Sequence, residues 1–234
     1  MERPGTMYEL FIANKNYSSW SLRPWVLMRE LAIPFTETLI PFGNLPDGTS
    51  IADVSPSGRV PCLRDGQLRV WDSLSIVEYL AERHEHVWPS NATARAFARS
   101  AAAEMHSGFF ELRGKCGMNC GIRVRFGDIG APLALELERL NALWLHGLEK
   151  FGGPFLAGPQ FSAVDAFYAP VAFRVQTYGL QLQPAAMQYV SRLLELEAML
   201  DWYAAALKEP WRHEEYEAAV RDILIKDHRV PQTA

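Results

Sequence analysis

The hydrophobic period of the sequence changes near Pro89, and this change limits the chain to a fold with two differently built parts. Before Pro89, strand-like runs (residues 8–13, 35–40, 60–64 and 67–71) alternate with helix-like runs (residues 18–31 and 72–83). Asp65-Gly66 is typical of a two-residue hairpin between the last two strands. Residues 41–57, rich in Pro, Gly, Asp and Ser, predict a long loop with one short helix.

No strand is predicted beyond Pro89. Apolar residues recur at steps of three and four in two series, and each series predicts one helix packed on a core: Leu133, Leu137, Leu140, Trp144, Leu148 and Phe151, then Tyr189, Leu193, Leu196, Leu200, Tyr203 and Leu207. Further helices are predicted over residues 92–115, 163–178 and 214–225. The sequence therefore predicts an α/β plus all-α chain, with an α/β domain over residues 7–86 and an all-helical domain over residues 91–228.

The composition excludes several classes of function. A chain of 234 residues with 49% hydrophobic and 21% charged residues is typical of a soluble globular protein. A net charge of −4 gives no general attraction to nucleic acid or to an anionic membrane, so neither is expected as a partner. The odd number of cysteines, together with the lack of a long apolar run or signal peptide, favours a cytoplasmic location. No His or third Cys stands at ligand spacing from Cys116 and Cys120, so no metal is expected.

Three serines follow the first predicted strand, in the segment NYSSWSLRPW that begins at Asn16. No histidine or carboxylate stands beside them, and a serine without a base is a poor nucleophile. Two interpretations remain open. The serines form a helix cap, or one of the hydroxyls serves a nucleophile that belongs to the ligand.

Two later segments could bind a ligand. A cis peptide between Val60 and Pro61 would turn the Val60 N–H and C=O outward to pair with an extended peptide; the alternative is an ordinary trans proline at a strand start. Asp72-Ser73 stands where a strand becomes a helix, and such a positive helix end can bind a carboxylate. The alternative for this pair is a plain helix N-cap.

Taken in order, these segments resemble the glutathione transferase family, in which a thioredoxin-like domain precedes a C-terminal helical-bundle domain. Ser18 and Ser21 stand where a redox relative would carry Cys-x-x-Cys. SSWSLR resembles the Ser-Ser-Cys-x-x-Arg loop of the zeta class, which includes maleylacetoacetate isomerases; Ser18, Ser19 and Arg23 match, and Trp20 replaces the cysteine. The segment from Phe161 resembles the capping-box segment of the helical domain in this family, with its S-x-x-D pattern at residues 162–165.

The resemblance implies that the nucleophile is the thiol of glutathione, used as a co-substrate without a metal. A hydroxyl and a positive helix end would favour the thiolate, and lowering a thiol pKa by roughly two units needs about 2.7 kcal/mol. Ser18 is favoured as the donor because it matches the first zeta serine, and Ser19 is a close second. Val60, with Pro61, is expected to contact the cysteinyl backbone of glutathione. Asp72 and Ser73 are expected at the γ-glutamyl end, and Lys15 and Arg59 at the glycine carboxylate.

The second substrate is expected between the domains. On the helix predicted over residues 92–115, His106, Phe109 and Arg113 share one face and Met105 lies beside them, which could form a pocket for an aromatic or acidic electrophile. The same face could equally be a dimer surface or a solvated edge.

The sequence therefore favours a cytoplasmic, homodimeric glutathione transferase with a role in detoxification. Three alternatives stay open: a glutathione-dependent cis-trans isomerase, a non-catalytic binding protein of the same fold, and a disulfide oxidoreductase that uses Cys62.

Overall fold

The computed structural model describes residues 7–42, 45 and 47–231. Its N-terminal part contains a mixed sheet of order β2-β1-β3-β4, built from β1 (Tyr8–Ile12), β2 (Phe35–Leu39), β3 (Cys62–Asp65) and β4 (Leu68–Val70). β1 pairs with β2 in parallel and with β3 antiparallel, and β3 and β4 form the predicted hairpin. The helices described in this part are α1 (Ser19–Glu30), α2 (Ile51–Val54) and α3 (Ser73–Ala81).

The central strand β1 is buried on both faces of the sheet. Because side chains alternate along a strand, Leu10 and Ile12 enter the main core on the side of α1 and α3. Phe11 points the other way and packs with Ile40 and Cys62 in a smaller cluster. This thioredoxin-like arrangement agrees with the predicted fold.

The C-terminal part is mainly helical. Its described elements, in chain order, are α4 (Ala92–Ser107), α5 (Phe110–Lys115), β5 (Ile122–Val124), α6 (Gly130–Phe151), α7 (Ala163–Tyr178), α8 (Pro184–Leu194), α9 (Glu197–Lys208), α10 (Glu214–Ala218) and β6 (Leu224–Asp227). α7 has the predicted bounds and is almost wholly buried, with contacts to α1, α4 and α8. The predicted capping box is present, since the Ser162 N–H donates to Asp165 Oδ2 over 2.9 Å.

A single hydrophobic core continues from the sheet into the helical part. α1 makes this connection because it packs against α3 on one side and against α7 and α9 on the other. The amino end of α1 therefore lies at the boundary between the two parts.

Two helix predictions were wrong because each joined two helices. The run over residues 92–115 breaks at Gly108 and Phe109, where Phe109 has a left-handed φ of 54°. A Cβ at Gly108 would approach the Glu104 carbonyl oxygen to 2.8 Å, so glycine permits the turn. The series from Tyr189 to Leu207 divides between α8 and α9, because Leu196 has an extended backbone with ψ of 139°.

The prediction that no strand follows Pro89 was also wrong. β5 pairs antiparallel with β6, which is distant in sequence, and β6 replaces the end of the helix predicted over residues 214–225. In the long loop over residues 41–57, α2 is the described helix, while residues 43, 44 and 46 lie outside the described residues. Among the described residues, none of the helices has the length and apolar character needed to cross a membrane.

Candidate active site

A cleft of about 680 Å³ lies between the sheet and the helical part. Its walls come from the start of α1, from the segment before Pro61 and from the turns around α5, and it is lined by Tyr17, Ser18, Ser19, Trp20, Phe42, Ile51, Gly58, Arg59, Val60, Phe110, Arg113, Gly114, Gly117, Met118, Arg174 and Tyr216. A second cavity of about 270 Å³ adjoins it, since Trp20, Arg59 and Val60 line both. The remaining residues that line the second cavity are Ser57, Pro61, Trp71, Asp72 and Ser73.

The two candidate serines differ in their hydrogen bonds. The Ser18 hydroxyl donates to Ser21 Oγ over 2.7 Å, and Ser21 Oγ also accepts the Ala13 N–H. The Ser19 hydroxyl accepts a bond from Arg174 Nη2 over 3.4 Å, and among the described residues its own proton has no acceptor. Ser19 also begins α1, where the helix dipole favours an anion, while the Ser19 N–H donates to the Tyr17 carbonyl oxygen over 2.9 Å.

The Val60–Pro61 peptide is cis, which is the first of the two alternatives that the sequence left open. Val60 lies outside β3, and among the described residues neither its N–H nor its C=O has a hydrogen-bond partner in the protein. Because Val60 lines both cavities, this backbone edge can pair with an extended ligand.

Asp72 and Ser73 form one end of the second cavity. Asp72 caps α3 by accepting the Leu74 N–H over 2.9 Å, and its other oxygen, Oδ2, lies 3.3 Å from His106 Nε2. Burial lowers the pKa of His106, and Arg23 and Arg113 lower it further against the effect of Asp72, so the ring is neutral at neutral pH. The Ser73 hydroxyl is fully buried and has no hydrogen-bond partner within the part of the chain that the structure describes.

Arg23, Arg113 and Arg174 concentrate positive charge around the serines. Burial lowers the pKa of Arg174 to about 10, and burial with repulsion from Arg174 and Arg113 lowers the pKa of Arg23 to about 9. Both guanidinium groups therefore stay charged at neutral pH. Arg174 donates to the carbonyl oxygens of Cys116 and Pro170, over 2.8 and 3.4 Å.

Arg23 lies over the ring of Trp20, with its guanidinium carbon 4.1 Å from the ring centre, and its Nε and Nη1 have no hydrogen-bond partner in the described ranges. No carboxylate of the described residues forms a salt bridge with any of these three arginines. Such uncompensated charge favours an anionic ligand in the cleft.

Lys15 does not face the cleft, contrary to the expectation that it meets the glycine carboxylate. Its ammonium group forms a 2.7 Å ion pair with Glu37 and lies over the rings of Trp25 and Trp202. Arg59 does line both cavities and is exposed.

The expected second-substrate face is divided by the break between α4 and α5. Met105 and Phe109 are buried in the core, which contradicts their placement in a pocket. His106 contacts Asp72 and the edge of Trp20, with ring centroids 5.3 Å apart, while Arg113 does line the cleft.

Several residues that line the cleft were missed. They are Tyr17, Trp20, Phe42, Ile51, Gly58, Phe110, Gly114, Gly117, Met118, Arg174 and Tyr216, most of them in the helical part. Arg174 had a detectable signal, since an arginine in the middle of a mainly apolar helix needs a partner or a function.

The cysteines are all free and buried. Burial raises the pKa of Cys116 to about 12, and it also raises the pKa of Cys62 and of Cys120. None of them lines the cleft, so within the described residues no thiolate is available for disulfide exchange there. The described residues also contain no group of three or more His, Cys, Asp or Glu side chains that could hold a metal ion.

The architecture and the interdomain cleft are those of the glutathione transferase fold. One solved structure with this fold is a glutathione transferase homolog from Burkholderia with bound glutathione, at a TM-score of 0.64 and 19% identity, covering 86% of this chain and 98% of that one. Residues 17–83 match the family model described as glutathione S-transferase, N-terminal domain. These matches show the fold of the chain and a similarity of its N-terminal part to glutathione S-transferases.

Curated relatives are distant in sequence. The glutathione S-transferase-like protein OpS6 of Beauveria bassiana is 22% identical over 86% of this chain and 91% of that protein. A probable maleylacetoacetate isomerase of Caenorhabditis elegans is 26% identical over 68% of this chain and 74% of that protein.

Proposed function

We propose that the chain is a glutathione transferase in which a serine hydroxyl at the start of α1 stabilises the thiolate of glutathione. The observation that carries this proposal is the position of Ser19, which lines the cleft, begins a helix and accepts a hydrogen bond from a buried arginine. The family match and the glutathione bound to the Burkholderia homolog support the choice of ligand.

The residues of the second cavity fit the tripeptide. The free N–H and C=O of Val60 would pair with the cysteinyl backbone, as in strand addition. The buried Ser73 hydroxyl would gain its missing partner from the γ-glutamyl carboxylate, at the positive end of α3, while the free lone pairs of Asp72 would accept from the ammonium group. Arg59 is left as the candidate for the glycine carboxylate.

The hydrogen bonds favour Ser19 over Ser18 as the thiolate donor, which reverses the order expected from the zeta motif. The Ser18 proton is engaged with Ser21, whereas the Ser19 proton is free, and a hydroxyl that accepts from a cation is a stronger donor. A free thiol has a pKa of about 8.5, and this donor, the helix end and the arginine field all favour its anion. The thiol proton leaves to solvent through the open cleft, so no base is needed.

The thiolate then attacks an electrophilic carbon, forming a C–S bond while the leaving group departs with its electron pair. Arg113, Arg174 and the rings of Phe110 and Tyr216 line the part of the cleft that faces the helical domain. Their charge and shape fit an electrophile that carries a carboxylate beside an apolar group.

An isomerase is the second candidate, because the serine pair and Arg23 follow the zeta pattern and a probable maleylacetoacetate isomerase is among the relatives. In that reaction the thiolate adds to an activated double bond, rotation follows, and the thiolate leaves again. Assays with a cis-configured diacid and with a halogenated acid separate the two reactions, because only the second releases halide.

The proposal is tested by titrating the ultraviolet absorbance of the thiolate in the glutathione complex. In wild type we expect the bound thiol to ionise at least one unit below its free pKa of about 8.5. Ser19→Ala should raise the bound thiol pKa by about one unit and lower kcat/KM about a hundredfold. Ser18→Ala should have a smaller effect, and Ser100→Ala, on the exposed surface of α4, is the matched control.

A bound thiol that ionises no more readily than free glutathione would contradict the mechanism and favour a non-catalytic binding protein. We further expect a homodimer with one site per subunit, and analytical sedimentation of the purified protein measures this oligomeric state. We also expect a cytoplasmic role in detoxification.

A further inference from the structure

The loop that carries the serines is held by side chains from the other end of the chain. The Glu209 carboxylate, at the end of α9, accepts the backbone N–H of Lys15 over 2.6 Å and that of Asn16 over 3.2 Å. The indole N–H of Trp202, also on α9, donates to the Lys15 carbonyl oxygen over 2.8 Å. Side chains on and next to α9 therefore form hydrogen bonds with the N–H groups of Lys15 and Asn16 and with the carbonyl oxygen of Lys15.

This stretch has no alternative partners in water. Residues 14–19 are all buried, so a backbone N–H that lost its bond to Glu209 would be left unpaired inside the protein, while the Lys15 carbonyl oxygen would keep only the 3.6 Å bond from the Cys120 thiol. The turn continues directly into the site, since the N–H groups of Tyr17 and Ser18 both donate to the Asn14 carbonyl oxygen. A shift at Lys15 would therefore move the amino end of α1.

We propose that Glu209 and Trp202 are positioning residues, which act from the helical domain to hold the backbone at Lys15 and Asn16 so that the serine hydroxyls and the amino end of α1 face the sulfur. This inference rests on the proposed function for its catalytic consequence. Neither residue lines the cleft, so both act through the loop and neither contacts a substrate.

The groups around Glu209 make the positioning sensitive to pH. Burial raises the pKa of Glu209 to about 7, against the hydrogen bonds from Lys15 and Asn16 and the Lys15 ammonium, while Glu37 raises it further. The Cys120 thiol also lies in this environment, and Arg212 binds the Glu209 carbonyl oxygen through Nη1. Protonation converts one acceptor oxygen of Glu209 into a donor. The hydrogen bonds from the Lys15 and Asn16 N–H groups should therefore weaken as pH falls through about 7.

The test is the bound-thiol titration on variants of the full chain. Glu209→Ala removes both acceptors and should raise the thiol pKa by about one unit, with kcat/KM lowered about tenfold. Glu209→Gln retains one oxygen and should show a smaller rise. Trp202→Phe keeps the buried ring but removes the donor, and it should shift the thiol pKa in the same direction.

Glu197→Gln, an exposed carboxylate on α9, is the matched control and should behave as wild type. A wild-type thiol pKa in folded Glu209→Ala and Trp202→Phe would overturn the inference. A lowered pKa would also overturn it, because that result indicates only loss of a nearby negative charge. If Glu209→Ala does not fold, Glu209→Gln and Trp202→Phe decide the question by the same criteria.

Failure of the proposed function can be distinguished from failure of the positioning. If the wild-type thiol is not ionised, hydrogen exchange of the amides over residues 14–19 tests the positioning without glutathione. Faster exchange in the Glu209 and Trp202 variants than in Glu197→Gln supports it, and unchanged exchange overturns it.

Discussion

At the scale of single residues, Ser73 has a buried hydroxyl that finds no hydrogen-bond partner among the residues that the structure describes. Leaving such a group unpaired costs about 1–3 kcal/mol, so the free protein gains nothing from the oxygen atom. The proposed ligand would supply the missing partner. Ser73 would therefore lower the stability of the free protein and contribute to the binding of the ligand.

Ser73→Ala should leave the free energy of unfolding unchanged or raise it, while KM for glutathione rises about tenfold. The control is Ser162→Ala, another buried serine at a helix start, whose hydroxyl is bonded to Asp165. That variant should lose about 1 kcal/mol of stability with no change in KM. Denaturant unfolding and steady-state kinetics measure both quantities; lost stability with unchanged KM for Ser73→Ala would contradict the proposed role.

Arg113 provides a residue-scale test of the electrophile class. Arg113→Gln should raise KM about tenfold for an acidic electrophile and leave KM for its methyl ester nearly unchanged, because only the acid uses the charge. Arg99→Gln, an exposed arginine on α4, is the control. Equal effects on acid and ester would show that Arg113 has a steric role only.

The sequence contained those parts of the site that lie in short contiguous motifs. The sequence pattern could indicate Ser19, Val60 and Ser73 as candidates, because a strand, a turn and a helix start follow one another within a few residues, and all three line the cavities. Lys15 was misassigned because its partners, Glu37 and Trp202, are distant in sequence. These contacts form only in the tertiary structure, so a local sequence pattern does not predict them.

At the scale of elements, the same distinction separates the correct predictions from the wrong ones. α7 was predicted with its full bounds because its capping box and its terminal glycine are local signals. β5 and β6 are short strands that pair across a long sequence separation, so neither has a strong periodicity of its own. The break after α4 depends on Phe109 adopting a left-handed backbone, which its residue type does not indicate.

The close approach of α6 to the loop before α7 gives an element-scale prediction. A Cβ at Gly147 would lie 2.6 Å from the Leu156 carbonyl oxygen and 2.8 Å from the Phe97 ring. Gly147→Ala should therefore destabilise the protein by about 1–3 kcal/mol, despite the better helix propensity of alanine. Gly114→Ala in α5, where a Cβ meets nothing within 4 Å, is the control. Equal unfolding free energies for both variants would contradict this packing.

At the scale of the whole molecule, Glu209 links stability to pH. Its folded pKa is about 7, against an ordinary value of 4.5, so between these values the folded protein holds a proton that the unfolded chain releases. The stability of wild type relative to Glu209→Gln should therefore be greatest below about pH 4.5 and should decrease as pH rises through about 7, by on the order of 1–3 kcal/mol. Denaturant unfolding across this range measures the difference, and a difference independent of pH would contradict a buried, titrating Glu209.

The bonds between the first loop and the last segment of the chain also constrain biosynthesis. Tyr17 donates to Glu217 and accepts from Arg229, so the loop beside Ser18 has its full set of partners only when the last residues are present. On the ribosome, the thioredoxin-like part would emerge before Glu217 and Arg229, so the loop would lack these partners until both residues have been translated. A chain cut short before Arg229 would therefore leave Tyr17 and Glu217 without this partner, and the loop beside Ser18 would be incomplete.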